Sequence, residues 1–255
     1  MTPLSLYVLT YNSEKYLDQV LSAAARFADD LLIVDSGSTD ATMDIARRHG
    51  ARILSRPFDN FAAQRCFAQS QCLHPQVMFV DSDEIPSEAL IEAMQELKAA
   101  GFAHDAYRVR RDWVVLGRPV HACYPVGCPD YPVRIVSRDT MSFDMAGVHE
   151  SPCGAESTGQ IEAALVHQTF ETMQEIRRKL DFYTDLSAIE LLRKRKPLLL
   201  MAIQQRTSAI GAFLKWYVRS HNWRDGWVGL VLGGYAAAYT YHKYRKARLR
   251  LKSPS

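Results

Sequence analysis

The chain has 255 residues, 47% of them hydrophobic and 23% charged, which is enough to bury a full core and is ordinary for a folded soluble protein. Its net charge of +3 conceals an uneven distribution. Residues 1–170 carry 14 Lys and Arg against 22 Asp and Glu, whereas residues 171–255 carry 17 against 6. An acidic body with a basic end indicates an anionic partner for that end, either membrane lipid or nucleic acid.

The five cysteines are odd in number and irregularly spaced, which argues against a disulfide framework and favours a reducing compartment. His121, Cys123 and Cys128 resemble a metal cluster but lack a second pair at zinc-ribbon spacing, so no zinc site is expected. The first residues enter a strand pattern at once, without the features of a signal peptide. We therefore expect a cytoplasmic protein.

The first hundred residues alternate short apolar runs with amphipathic segments. The predicted strands are 4–9, 31–34, 51–54 and 77–80, and the predicted helices are 13–27, 38–49, 60–73 and 87–100. Ser13 is expected to cap the first helix, Ser38 or Thr39 the second, and Gly50 follows the end of the second. This alternation predicts an α/β fold with a mostly parallel, doubly wound sheet and helices on both faces.

Polar residues follow three of these strands, at 10–12, 35–37 and 81–83. Because the carboxyl ends of parallel strands share one edge, they are expected to converge where a nucleotide binds. A dinucleotide-binding Rossmann unit is disfavoured, since residues 10–13 contain no glycine. Asp81 and Asp83 have the spacing and chemistry to hold a divalent cation on a diphosphate, although an acidic loop with a helix cap is the alternative.

After Gly101 the pattern changes. Residues 106–112 and 133–136 alternate like strands, and 163–167 are predicted to add a last strand. Residues 113–132 contain four prolines and are predicted to form a long lid or acceptor loop.

The basic end is predicted to form two helices, about 198–220 and 225–247, with Asp225 as a cap. The longest uncharged run, 226–242, holds four glycines and is too short and insufficiently apolar to predict a transmembrane helix. Trp and Tyr beside Lys and Arg favour a helical region in or on the cytoplasmic leaflet. A helical subdomain packed on the catalytic domain is the alternative. A nucleic-acid tail is disfavoured because no reader motif is present.

Three motifs in order carry a family resemblance: 9–12 (Leu-Thr-Tyr-Asn), 34–40 (Val-Asp-Ser-Gly-Ser-Thr-Asp) and 80–84 (Val-Asp-Ser-Asp-Glu). Together they resemble the family 2 glycosyltransferases of the GT-A type. Further motifs resemble the branch with lipopolysaccharide core β-1,4-glucosyltransferases: Gln64-Arg65, 134–136, 148–150 and the tail from Phe213 to Gly226. The resemblance implies a GT-A catalytic domain at 1–170, with a nucleotide-sugar half (1–100) and an acceptor half (101–170), followed by the helical region 171–255.

The resemblance also implies roles for the residues at the sheet edge. The expected donor-binding residues are Thr10, Tyr11, Asn12, Asp35, Arg65, Asp81 and Ser82. Tyr11 would pack on the base, while Thr10 and Asp35 would hydrogen-bond the nucleoside. Asp83 would ligate Mg²⁺ or Mn²⁺ directly, with Asp81 holding the ribose or assisting the metal. Glu84 is expected to be a bystander, and a solvated helix position is the alternative for Arg65.

The resemblance further implies an inverting transfer from a nucleoside-diphosphate sugar, and such a transfer needs a base for the acceptor hydroxyl. Glu150 is the first choice, with Asp130 and Asp144 as alternatives, and His149 would position the base or contact the leaving phosphate. Arg134 would contact acceptor or phosphate, unless it forms a salt bridge within the sheet.

The sequence thus predicts a metal-dependent inverting hexosyltransferase. It would use a nucleoside-diphosphate sugar, with UDP-sugar the expected donor, and a membrane-held glycan such as lipopolysaccharide core as acceptor. The protein would lie peripherally on the cytoplasmic face of the inner membrane. A nucleotidyltransferase of similar fold and a non-catalytic membrane-associated scaffold are the alternatives.

Overall fold

The computed structural model describes residues 1–140, 142–143, 152–193 and 197–252. They form two compact units, one of residues 1–111 and 131–167 and the other of residues 112–130 and 168–255. The strands are β1 (Leu4–Thr10), β2 (Asp30–Asp35), β3 (Arg52–Ser55), β4 (Gln76–Asp81), β5 (Glu84–Pro86), β6 (Ala106–Val115), β7 (Arg118–Pro119), β8 (Ala122–Cys123), β9 (Val126–Gly127), β10 (Val133–Ser137), β11 (Ser142–Phe143), β12 (Pro152–Cys153) and β13 (Thr158–Phe170). The helices are α1 (Glu14–Ala24), α2 (Thr42–Arg48), α3 (Phe61–Ser70), α4 (Glu88–Ala100), α5 (Met173–Arg193), α6 (Leu198–Phe213) and α7 (Gly226–Lys252).

The main sheet has the strand order β3-β2-β1-β4-β10-β6-β13-β5, with β7 paired to β6. The first four strands in this order are parallel, as their alternation with helices predicts. Beyond them, β10 runs antiparallel to β4 and β6, and β13 runs antiparallel to β5. The predicted α/β class is therefore confirmed, with a mixed sheet in which β3, β2, β1 and β4 are parallel.

Alternation along β1 separates the two faces of the sheet. Leu4, Leu6 and Val8 face a core cluster that contains the buried residues of α1, α2 and α4. Tyr7 points to the opposite face, where it packs with Phe79 of β4 and with α3. Helices thus cover both faces, three on one side and one on the other, as the fold prediction requires.

Two of the predicted helix caps are wrong in detail. Ser13 occupies the N-cap position of α1, but its side chain makes no capping hydrogen bond and instead accepts one from the N–H of Tyr11. Helix α2 begins at Thr42, and the Asp40 carboxylate accepts from the Thr42 N–H in place of Ser38 or Thr39. The loop before α2 is consequently longer than predicted, which leaves Ser38 and Thr39 available to the site below.

The second unit is built largely from α5, α6 and α7. A π-helical segment, Leu214–Arg219, extends α6, and a 3-10 turn, Asn222–Asp225, precedes α7. Gly229 allows this turn to lie close against α7, because a Cβ at position 229 would lie 1.7 Å from the Asn222 carbonyl oxygen. Gly229 of α7 therefore has a packing role, and so has Gly233, where a Cβ would lie 2.8 Å from the Tyr217 Cβ. Asp225, expected to be a cap, accepts hydrogen bonds from the His121 N–H and ring. No helix among the described residues is both long and apolar enough to cross a membrane.

Candidate active site

The parallel strands bring three predicted motifs to one edge of the sheet. Thr10 of β1 is in register with Asp35 of β2, and Leu9 of β1 is in register with Asp81 of β4. The Thr10 hydroxyl donates to Asp35 Oδ1 at 2.9 Å. The expected convergence of the strand ends is therefore present in the structure.

Asp35 holds the turn that follows β2. Besides Thr10, its carboxylate accepts from the N–H groups of Gly37 and Ser38, both at 2.8 Å, and from the Ser38 hydroxyl. Gly37 has a φ of 98°, a conformation that favours glycine. Burial raises the pKa of Asp35, but the hydrogen bonds from Ser38, Gly37 and Thr10 outweigh it and lower that pKa. Asp35 is thus a buried carboxylate whose hydrogen bonds shape the loop.

Asn12 ties the loop after β1 to the loop after β2. It adopts a left-handed conformation, with φ of 50°. Its N–H donates to the Ser38 hydroxyl at 2.8 Å, and its Oδ1 accepts from the Thr39 N–H at 2.9 Å. The neighbouring Tyr11 side chain is 64% exposed. The two loops therefore form one fixed surface with an aromatic ring open to solvent.

Asp81, at the end of β4, lies between two guanidinium groups. Its Oδ1 accepts from Arg65 Nη2 at 2.9 Å and its Oδ2 accepts from Arg134 Nη2 at 3.1 Å. Both guanidiniums also lie over the ring of Phe79, at 4.9 and 5.3 Å from its centroid. Burial raises the pKa of Asp81, but the charges of Arg134 and Arg65 lower it well below its usual range. Asp81 is therefore ionised, and it positions two cations.

Glu84 lies at the centre of this charge cluster. Its side chain is fully buried, accepts from Arg134 at 2.5 Å and from Arg111 at 2.8 Å, and accepts from the Asp81 N–H. The expectation that Glu84 is a bystander near the next helix is therefore wrong. Glu84 is the last residue of the acidic motif 80–84, and β6 and β10, which lie later in the sequence, bring Arg111 and Arg134 to it. Arg134 forms salt bridges with Asp81 and Glu84, which is the alternative predicted for it.

Asp83 has a different environment. Its side chain is 34% exposed, and its Oδ2 lies 3.4 Å from His167 Nε2. Strand β13 places His167 there, because His167 pairs with Glu84 in the antiparallel register of β13 with β5. From the sequence, His167 is predicted only to end a strand. A histidine at the end of an apolar strand is a possible sign of a site residue. The pairing of that strand with β5, which brings His167 to Asp83, could not be predicted from the sequence.

The described residues contain no group of three or more His, Cys, Asp and Glu side chains arranged to hold a metal ion. A divalent ion on a diphosphate needs only one or two protein ligands, with phosphate oxygens and water as the others. Asp83 and His167 fit that requirement, with one carboxylate and one imidazole. Asp81 fits it less well, because both of its oxygens already accept from arginines.

The predicted catalytic pair, Glu150 and His149, lies outside the described residues, as does Asp144. Asp130 is half-buried and accepts from Trp113 Nε1 at 2.8 Å. Ser82 is half-buried between Asp81 and Asp83. Arg65 is buried, so the alternative prediction of a solvated helix position for it is wrong.

Comparison with known proteins identifies the motifs. Residues 5–122 match the model of glycosyl transferase family 2. The chain is 29% identical to the lipopolysaccharide core biosynthesis glycosyltransferase LpsC of Rhizobium meliloti strain 1021, over 94% of this chain and 89% of the relative. It is 23% identical to an uncharacterized glycosyltransferase of Rickettsia prowazekii, over 98% and 89% of the two chains.

Among solved structures, the chain is similar to S. aureus TarS 1–349, with 17% identity, a TM-score of 0.45 and coverage of 98% and 91% of the two chains. Glucosyl-3-phosphoglycerate synthase from Mycobacterium tuberculosis, in complex with Mn²⁺, UDP and glucosyl-3-phosphoglycerate, gives 22% identity, a TM-score of 0.41 and coverage of 55% and 58%. The resemblance predicted from the motifs is confirmed by the family model and the curated relatives: residues 5–122 match glycosyl transferase family 2, and nearly the whole chain aligns with a glycosyltransferase of lipopolysaccharide core biosynthesis.

Proposed function

We propose that this glycosyltransferase moves a hexose with inversion from a nucleoside-diphosphate sugar, with UDP-sugar as the expected donor, to a membrane-held glycan. The observation that carries the proposal is the acidic end of β4, where Asp83 is partly exposed while Asp81 holds Arg65 and Arg134. The fixed loops at Asn12 and Asp35 end at the same sheet edge. A nucleotide there would have an aromatic surface, two cations and a carboxylate within one site.

Tyr11 is the proposed platform for the base, because its exposed ring projects from a loop that Asn12 holds in place. Asp35 acts by fixing the Gly37–Ser38 turn, since its oxygens already accept four hydrogen bonds. Thr10, Asn12 and Ser82 complete the donor surface in this proposal.

Charge balance supports a metal requirement. Asp81 and Glu84 contact the guanidiniums of Arg65, Arg111 and Arg134, and the neighbouring Asp83 lies beside His167, so this region holds three carboxylates and three guanidiniums. A diphosphate that binds here would add negative charge, and the described residues of this region have no excess of positive charge to neutralise it. Asp83 and His167 would hold a divalent ion, and an imidazole ligand favours Mn²⁺ over Mg²⁺. When bound, the ion would stabilise the diphosphate leaving group.

Glu150 remains the proposed base for the acceptor hydroxyl, with His149 positioning it and Asp130 as the alternative. Deprotonation must accompany attack on the anomeric carbon, and a carboxylate within hydrogen-bond reach of the hydroxyl performs it.

The proposed acceptor is a lipopolysaccharide core or another lipid-linked glycan. The name of the R. meliloti relative supports it, and so does an exposed apolar stripe on α6 and its extension: Leu199, Ile203, Ile210, Leu214 and Val218 are each more than half exposed. Their spacing places them on one side of a helix in a strongly basic region. Such a helix suits the surface of an anionic membrane, so we propose peripheral attachment to the cytoplasmic face.

A donor-hydrolysis screen tests the proposal. The purified full chain would be incubated with UDP-, GDP- and dTDP-sugars, each with Mn²⁺, with Mg²⁺ and with EDTA. We expect one nucleotide class to be hydrolysed only when a divalent ion is present. Absence of both donor binding and hydrolysis for every sugar would favour the non-catalytic scaffold.

A further inference from the structure

A cleft of about 600 Å³ lies between α6 and α7, within the second unit. Its lining includes three arginines, Arg206, Arg245 and Arg248, together with Ile203, Tyr241 and Leu249. None of the lining residues is acidic. The cleft therefore combines concentrated positive charge with an apolar rim.

Four of the basic residues of α7 fall into two groups. Lys246 and Arg250 contact the carboxylates of Asp181 and Asp185 on α5, at 2.8–3.2 Å. Arg245, on the cleft side, has no carboxylate partner in the described part of the chain, and the same holds for Arg206 of α6. Arg248 donates to Gln205 Oε1 at 2.7 Å, which fixes one guanidinium at the cleft wall. Positive charge without counter-ions is thus gathered in the cleft.

Guanidinium groups bind phosphate oxygens with two parallel hydrogen bonds, so three of them form a site for a phosphate group. Ile203 lines the cleft and also belongs to the exposed apolar stripe of α6, whose other members continue along the helix. A ligand that binds the cleft and also contacts the stripe has a phosphate head and an apolar tail.

We infer that the α6–α7 cleft binds the phosphate headgroup of an anionic lipid at the membrane surface, with the stripe of α6 against the acyl region. This inference rests on the proposed membrane-held acceptor and on the proposed attachment through α6, and it does not depend on the donor site. The cleft would anchor the enzyme where its lipid-linked acceptor lies.

The test is flotation of the full chain with phosphatidylcholine vesicles, with and without phosphatidic acid. The variant Arg206→Gln/Arg245→Gln removes two exposed charges from the cleft. Arg177→Gln/Arg178→Gln removes two exposed charges from α5 and is the matched control. A lipid-facing arginine contributes ~1 kcal/mol, so the cleft variant should bind acidic vesicles about 30-fold more weakly. The control should lose less than about threefold.

Equal losses in the two variants would overturn the inference, because they would indicate diffuse attraction. Tight binding of inorganic phosphate in the cleft, with no binding to acidic vesicles, would overturn the lipid headgroup as its source. Donor hydrolysis, measured with soluble nucleotide sugars, should be unchanged in the cleft variant. Arginine-dependent vesicle binding in a protein without donor hydrolysis would leave this inference standing and contradict the proposed function.

Discussion

In the first unit, Arg65, Arg111 and Arg134 have little exposed surface and each contacts a carboxylate. In the second unit, Arg206 and Arg245 are exposed and face a cleft without acidic residues. Burial explains the contrast, because a charge removed from water needs a counter-ion whereas an exposed one does not. Paired arginines therefore organise a site from within, while unpaired arginines are available to an external anion.

The largest expected effect comes from breaking the buried cluster. Glu84→Gln leaves Arg111 and Arg134 with one carboxylate fewer in a buried site, and we expect the free energy of unfolding to fall by ~3–5 kcal/mol. Urea unfolding would measure the change. Glu88→Gln is the matched control, because Glu88 pairs with Arg26 on the surface, and it should leave stability unchanged. Similar behaviour of the two variants would contradict a structural role for Glu84.

The second unit should be more sensitive to backbone packing than to charge. Gly229→Ala places a Cβ against the Asn222 carbonyl, so we expect a loss of ~3 kcal/mol. Gly234→Ala is the control in the same helix, where a Cβ meets no atom within 4 Å, and it should add up to ~1 kcal/mol. Thermal unfolding distinguishes them. Tolerance of alanine at both positions would show that the turn before α7 does not approach so closely.

Asp35 should link loop structure to pH. Its folded pKa is lowered, so its stabilising contribution is present above the unfolded pKa of about 4 and is lost as pH falls through the folded pKa. Asp35→Asn should therefore cost ~2 kcal/mol at pH 7, and the gap to wild type should narrow below about pH 4. Unfolding measured across that pH range tests this. A gap independent of pH would contradict the charged form of Asp35.

The smallest effect is expected at Tyr11. Tyr11→Ala removes the proposed stacking surface, which corresponds to ~1 kcal/mol and a donor KM raised about fivefold. Tyr11→Phe keeps the ring and should match wild type. Steady-state hydrolysis of the preferred donor would measure both variants, and an unchanged KM in Tyr11→Ala would remove the ring from the donor site.

The parallel strands of the first hundred residues could be predicted from the sequence, because they are continuous apolar runs, such as 77–80, that alternate with helices. The convergence of the polar residues at the ends of those strands then followed from the parallel topology of the sheet. Glu84 and His167 could not be predicted as site residues from the sequence. Their contacts, with Arg111 and Asp83 respectively, depend on strands that are distant in sequence and pair in the antiparallel part of the sheet. The boundary at residue 170 stays a prediction, although residues 112–130 pack with the helices of the second unit.

The proposed metal site at Asp83 is tested most directly by Mn²⁺ binding in the presence of UDP. Titration calorimetry would compare wild type with Asp83→Asn, and with Asp44→Asn as an exposed carboxylate control on α2. We predict UDP-dependent Mn²⁺ binding in wild type and in Asp44→Asn, weakened by about 10- to 100-fold in Asp83→Asn. Undiminished binding in Asp83→Asn would contradict the assignment of Asp83 and His167 as the residues that hold the ion.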